Sequence, residues 1–242
     1  IPLPSSLDAP HLGGIPKIAD FNQDGNMDLY IFGSTDPSTG EIQPMKFFLG
    51  DGKFGFRDIS ETTGTSDARL KPGYSHVYLA DLDNDSHPDL INQGNYGTAF
   101  WQNNGDTTFT QLPKSQTNHW TANAHMRFDD FDMDGRLDIV TSDHGPNWKN
   151  RPRSIRVFRN TTENDNHWMK VKLQQPGNNT MAIGAIVSIY DAEKGKLLGK
   201  QILSSDTEGS HPRLHFGLGT STKIHLAITW PTSRETQRFS GV

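Results

Sequence analysis

The chain has 242 residues and a formal net charge of −5, with 33% hydrophobic residues, 23 Gly, 14 Pro and no Cys. That length can bury one large core or two smaller ones, and its richness in Gly and Pro favours short strands joined by turns over packed helices. No apolar run approaches the roughly 20 residues a membrane-spanning helix needs, and without cysteine there are no disulfides or thiolate metal sites, which leaves core packing and hard cations to hold the fold.

The N-terminal IPLPSSLDAP has neither an initiator Met nor a charged-then-apolar leader, so the sequence is expected to be a mature, processed or excised product. From Ile18 the chain reads IADFNQDGNMDLYIFG, an apolar lead-in, a cluster of acids and a β-prone run. An aromatic strand, a Gly-containing turn and a second aromatic strand follow from Met45 to Ile59, which predicts a hairpin. The unit recurs as LADLDNDSHPDLINQG from Leu79, with a matching hairpin from Thr98 to Leu112. It recurs again as FDDFDMDGRLDIVTSD from Phe128, but after SIRVF the returning strand is replaced by the polar run RNTTENDN. Such self-similarity marks stacked units that share a core.

Oxygens at positions 1, 3, 5 and 9 of a tight loop, with the carbonyl of position 7 turned inward, suit a cation that takes six to eight oxygen ligands, and calcium is the natural fit. The expected ligands are Asp20, Asn22, Asp24, Asp28 and the Asn26 carbonyl in loop one. In loop two they are Asp81, Asp83, Asp85, Asp89 and the His87 carbonyl, and in loop three Asp130, Asp132, Asp134, Asp138 and the Arg136 carbonyl. Gly25 and Gly135 stand at the bend, where a residue without Cβ is least strained. Loop two has Ser86 there, at an expected penalty on the order of 1 kcal/mol. An EF-hand is excluded, because position 12 is Ile31, Asn92 or Thr141 instead of a bidentate Glu. The three loops hold eleven carboxylates, so the rest of the chain sums to +6 and the acidity is local.

Beyond residue 165 the segments WMKVKL, AIVSIY, KLLGKQIL and KIHLAITW alternate or flank turns, as in a small sandwich or barrel. The chain therefore divides into a repeat region, 1–165, and a terminal β domain, 166–242.

The spacing D-x-[DN]-x-D-G-x-x-D-[LI] followed by a strand, with Phe100 to Phe109 matching the family's second motif, resembles the FG-GAP/VCBS repeat of integrin-α-type β-propellers over about residues 11–165. The resemblance implies one four-stranded blade per repeat with calcium in a blade loop. The remainder resembles the ASPIC/UnbV domain in Asn166-His167-Trp168, Val171 to Leu173, Ile183-Gly184-Ala185, Leu214 to Gly219 and Trp230-Pro231. The expected fold is all-β, with three propeller-type blades in an incomplete ring and a small sandwich or barrel. Rings close with about four to eight blades, so a partner chain or self-assembly is expected to cover the open ends.

No G-x-S-x-G, H-E-x-x-H or P-loop occurs, and an enzyme is not expected. Tyr96, Trp120 and Trp148 lie in Asn-, His- and Gly-rich loops and are candidate ligand contacts, so a carbohydrate-binding propeller lectin is the alternative to an adhesion or scaffold protein. Trp101 is expected to fill a blade core. The basic run around Lys149 and Arg151 is too small for nucleic acid. Loops lacking the position-12 Glu should bind calcium weakly, at about 10⁻⁴ to 10⁻³ M, which points outside the cell or to its surface. Sequons at Asn84, Asn160 and Asn178 permit glycans, although Asn84 sits inside a loop.

Overall fold

The computed structural model describes residues 16–31, 38–40, 45–65, 76–94, 97–113, 125–143, 154–204 and 213–242. Among them there is no α-helix, and seventeen strands form five antiparallel sheets. The first sheet comprises β1 (Lys17–Ala19), β2 (Asp28–Ile31), β3 (Lys46–Gly50) and β4 (Phe56–Asp58), in that order. The second repeats the meander with β5 (His76–Ala80), β6 (Asp89–Gly94), β7 (Gly97–Asn103) and β8 (Phe109–Gln111). Both predicted hairpins are present, as β3–β4 and β7–β8. The third sheet has only β9 (His125–Asp129), β10 (Asp138–Asp143) and β11 (Ser154–Phe158), because RNTTENDN supplies no returning strand.

Strand alternation sends every second side chain to one face, and successive sheets bury those faces against each other. Tyr30 and Phe47 of the first sheet meet Leu90, Trp101 and Phe109 of the second, with Phe21 from loop one between them. Phe47 packs its ring 5.1 Å from Phe109 and 4.6 Å from Tyr30. Trp101 thus fills a core, as expected. The opposite face of the second sheet places Ile91 and Phe100 against Met126 and Ile139 of the third. No ring closes among the described residues. Ile155 and Val157, which share the outer face of the third sheet with Val140, are 78% and 64% exposed.

The C-terminal region adds β12 (His167–Val171), β13 (Ile186–Asp191), β14 (Leu197–Ile202), β15 (Leu214–Gly219), β16 (Ile224–Thr229) and β17 (Thr236–Ser240). A ribbon β12–β15 and a sheet β14-β13-β16-β17 share one core of Val171, Val187, Ile189, Phe216, Ile224 and Ile228. They remain separate sheets, as in a sandwich, and no closed barrel forms among the described residues.

Candidate metal centre

Each acidic loop joins the first and second strands of its sheet. The antiparallel pairs Ala19–Asp28, Ala80–Asp89 and Asp129–Asp138 close the loops at their necks. Within each loop the acids hold the backbone of their own turn. Asp20 takes the Asp24 and Gly25 amides on its two oxygens (3.1 and 2.9 Å), and Asp130 takes those of Asp134 and Gly135 (3.0 and 2.9 Å). At position 5, Asp24, Asp85 and Asp134 accept the amides of Asn26, His87 and Arg136 at 2.8 to 3.0 Å.

The position-9 acids do more than ligation requires. Asp28 accepts the Phe21 amide at 2.9 Å and reaches across to the Gly50 amide at the end of β3 at 3.0 Å. Asp89 does the same with Leu82 and Asn103, and Asp138 with Phe131 and Asn160. All three are buried, so each is a staple between its loop and the end of the third strand. Every carboxylate oxygen has a second lone pair and keeps acceptor capacity for a cation.

The predicted bends are present, with Gly25 and Gly135 at φ 90° and Ser86 at φ 81°. Position 4 is also left-handed in every loop, at Gln23 (59°), Asn84 (59°) and Met133 (61°), so loop two alone carries two non-Gly left-handed residues. Sequence spacing gave no sign of this, since Gln, Asn and Met have no common chemistry. The conformation turns the first two position-4 side chains toward the next loop. Gln23 Nε2 donates to Ser86 Oγ at 2.7 Å, and Asn84 Nδ2 donates to the Gly135 carbonyl at 2.9 Å. Met133 ends the series and is 82% exposed.

Carboxylate oxygens of Asp81, Asp83 and Asp89 lie within 4.8 Å of one another, and those of Asp130, Asp132 and Asp138 do likewise. Loop one has the amide of Asn22 where the others have the second acid of this triad. The position-5 acids Asp85 and Asp134 stand outside the triads. Position 7 contributes side chains that pair with acids, His87 with Asp85 at 3.2 Å and Arg136 with Asp134. In loop two Asp81 Oδ1 is buried without a hydrogen-bond partner. Burial, then the neighbouring carboxylates, pushes Asp81 well above the usual carboxylate range, and burial first also raises Asp83 and Asp89. In loop one, burial raises Asp20 and carries Asp28 to about 6.

The C-terminal region rests on these loops. Lys200 Nζ donates to the Gly25 carbonyl at 3.1 Å, and Gln23 Nε2 to the Leu198 carbonyl at 3.0 Å. His215 Nε2 lies 2.8 Å from Asn84 Oδ1, and burial, then Lys170, lowers its pKa to about 4, so it is a neutral donor there. A Cβ at Gly217 would overlap Asp81 and Asn84, and one at Gly135 would overlap the Trp168 indole. The polar run at the boundary is pinned to loop two: Asn160 donates to the Leu82 carbonyl at 2.7 Å, and Asn164 and Asn166 to the Asp83 carbonyl at 2.6 and 2.9 Å. Two sequons therefore have occupied amides, at Asn84 and Asn160, while Asn178 is exposed. Tyr96, Trp120 and Trp148 lie outside the described residues.

The FG-GAP-like repeat family matches residues 20–92 and 81–141, together just over half of the chain. The chain is an FG-GAP-like repeat protein. Its C-terminal sheets carry a match to the ASPIC and UnbV family over residues 175–242. Among curated relatives of this repeat protein, cartilage acidic protein 1 of Mus musculus is 26% identical over 97% of the chain and 36% of its own length. The Homo sapiens protein is also 26% identical, over 97% of the chain and 35% of its own length. The chain thus spans about a third of the length of the curated relatives it matches. A solved lectin of Agrocybe aegerita, studied for recognition of non-reducing terminal N-acetylglucosamine, aligns over 85% of this chain and 57% of its own with 16% identity and a TM-score of 0.35.

Proposed function

We propose that this FG-GAP-like repeat protein is an extracellular, calcium-stabilised contact module, non-catalytic, whose repeats and terminal sheets form one surface for protein partners or self-assembly. The observation that carries the reading is the orphaned Asp81 Oδ1, buried among the converging oxygens of Asp83 and Asp89. A buried, unpaired carboxylate oxygen is costly in water-excluded surroundings, and a hard cation relieves it. Asp81, Asp83 and Asp89 would hold the ion in loop two, Asp130, Asp132 and Asp138 in loop three, and Asp20, Asn22 and Asp28 in loop one. The ion would supply positive charge that lets the acids stay ionised and fixes the turns from which the sheets start.

Weak loops of this kind fill at extracellular calcium, and relatives named for cartilage support a location outside the cell. Exposed Ile155 and Val157, alternate residues on one face of the open third sheet, support a contact role. Calorimetric titration with calcium, with magnesium as control, tests the reading. Saturable calcium uptake at millimolar or lower concentration is expected, and no uptake would refute it.

A further inference from the structure

Loops two and three have the same acid spacing but opposite surroundings. Among the described residues no Lys or Arg pairs with the acids of loop one, where Lys200 meets only the Gly25 carbonyl, or with those of loop two, where Gln102 donates to Asp83 at 2.7 Å and His87 lies against Asp85. Loop three is ringed by three cations. Arg159 Nε lies 2.6 Å from Asp132 and its Nη2 3.1 Å from Asp134, and Arg136 pairs with Asp134 as well. Lys170, from β12 of the C-terminal ribbon, places its ammonium 3.0 Å from Asp130 Oδ2, a carboxylate with no exposed side-chain surface.

We propose that the chain's own basic residues rank its three loops, so that loops one and two are resident calcium sites and loop three is a conditional one, guarded by Arg159 and by Lys170 of the C-terminal ribbon. The proposal rests on the cation reading above and concerns only the order of filling. A divalent ion entering loop three must displace Arg159 from Asp132 and Lys170 from Asp130, or share those oxygens with a positive charge close by. At such separations like charges repel by about 1 kcal/mol or more even in a water-like surface environment, and each 1.4 kcal/mol is a factor of about ten in affinity. Because Lys170 stacks over Trp168, and that indole covers Gly135, a filled third loop also loosens the seat of the C-terminal ribbon. Loop three is thereby the point at which a rise in calcium would be felt between the two halves of the chain.

Calorimetric calcium titration of the intact chain, with the R159A and K170M variants, tests this. Arg159 has 62% of its side chain exposed, so R159A is expected to fold, and R159Q provides a second variant of the same charge change. The wild type should take up two ions in one phase and a third in a distinctly weaker phase. R159A, R159Q and K170M should each tighten the weak phase about tenfold and leave the first phase unchanged. Three equivalent sites in the wild type, or variants whose weak phase does not move, would overturn the ranking while leaving the cation reading intact. Absence of any calcium uptake would overturn both.

Discussion

Loop two and loop three are built from the same spacing and bend, yet one holds a buried carboxylate oxygen without a partner and the other satisfies its acids with three basic side chains. The loop motif fixes where oxygens converge; what lies beyond it fixes how much negative charge is left unbalanced. Arg159 follows β11 and Lys170 comes from β12, so the decisive charges come from chain that lies outside the repeat motif. Burial raises Asp81 and Asp89, whereas the Arg136 amide and guanidinium together with Arg159 hold Asp134 low.

The largest expected effect is that of the ions themselves. At calcium about a hundredfold above Kd, each filled site contributes about 2.7 kcal/mol, so chelation should lower Tm by about 10–20 °C when two sites empty. Differential scanning calorimetry with and without chelator measures this. Loss of the C-terminal transition together with that of the repeats is expected, because the ribbon sits on the loops.

Next come the position-9 staples. Asp89→Ala strands the buried amides of Leu82 and Asn103 and should destabilise by about 2–5 kcal/mol in denaturant titration. A similar loss at Asp138→Ala is expected even though loops two and three differ in charge, because the staple serves the backbone in both. A smaller loss is expected at position 4. Asn84→Ala removes the bond to Gly135 and the contact with His215 and should cost about 1–3 kcal/mol, whereas Met133→Ala, with no loop beyond it, should stay within about 0.5 kcal/mol.

A pH scan sharpens the comparison further. Burial raises Asp28 to about 6 from an ordinary 3.8, so the native state without calcium binds more protons than the unfolded chain between those values. This contribution to stability is present in full below the unfolded value and is lost as pH rises through 6. Chelated protein should therefore melt a few degrees higher at pH 5 than at pH 7.5, while calcium-loaded protein should show the reverse, since protons compete with the ion.

The acid spacing made the loops, the strands that flank them and both complete hairpins legible, because ligand geometry and strand periodicity are local. The missing fourth strand was equally plain in RNTTENDN. Long-range partners were not. Nothing local in Gln23 or Asn84 reveals that each reaches the next loop, and nothing local in NTTENDN reveals that its asparagines hold the backbone of loop two. The guarding of Asp130 by Lys170, forty residues away in the chain, arises only when β12 packs across the loops. Asp28, Asp89 and Asp138 stand at position 9 of the acid spacing, and their two backbone bonds show a structural task that ligand counting alone does not suggest.

Anomalous diffraction from crystals grown in calcium tests the central claim most directly. The account predicts a peak in loop two with oxygens of Asp81, Asp83 and Asp89 at about 2.3–2.6 Å, a second peak in loop one, and a weaker one or none in loop three. Water alone in loop two, with Asp81 turned away from Asp83 and Asp89, would contradict it.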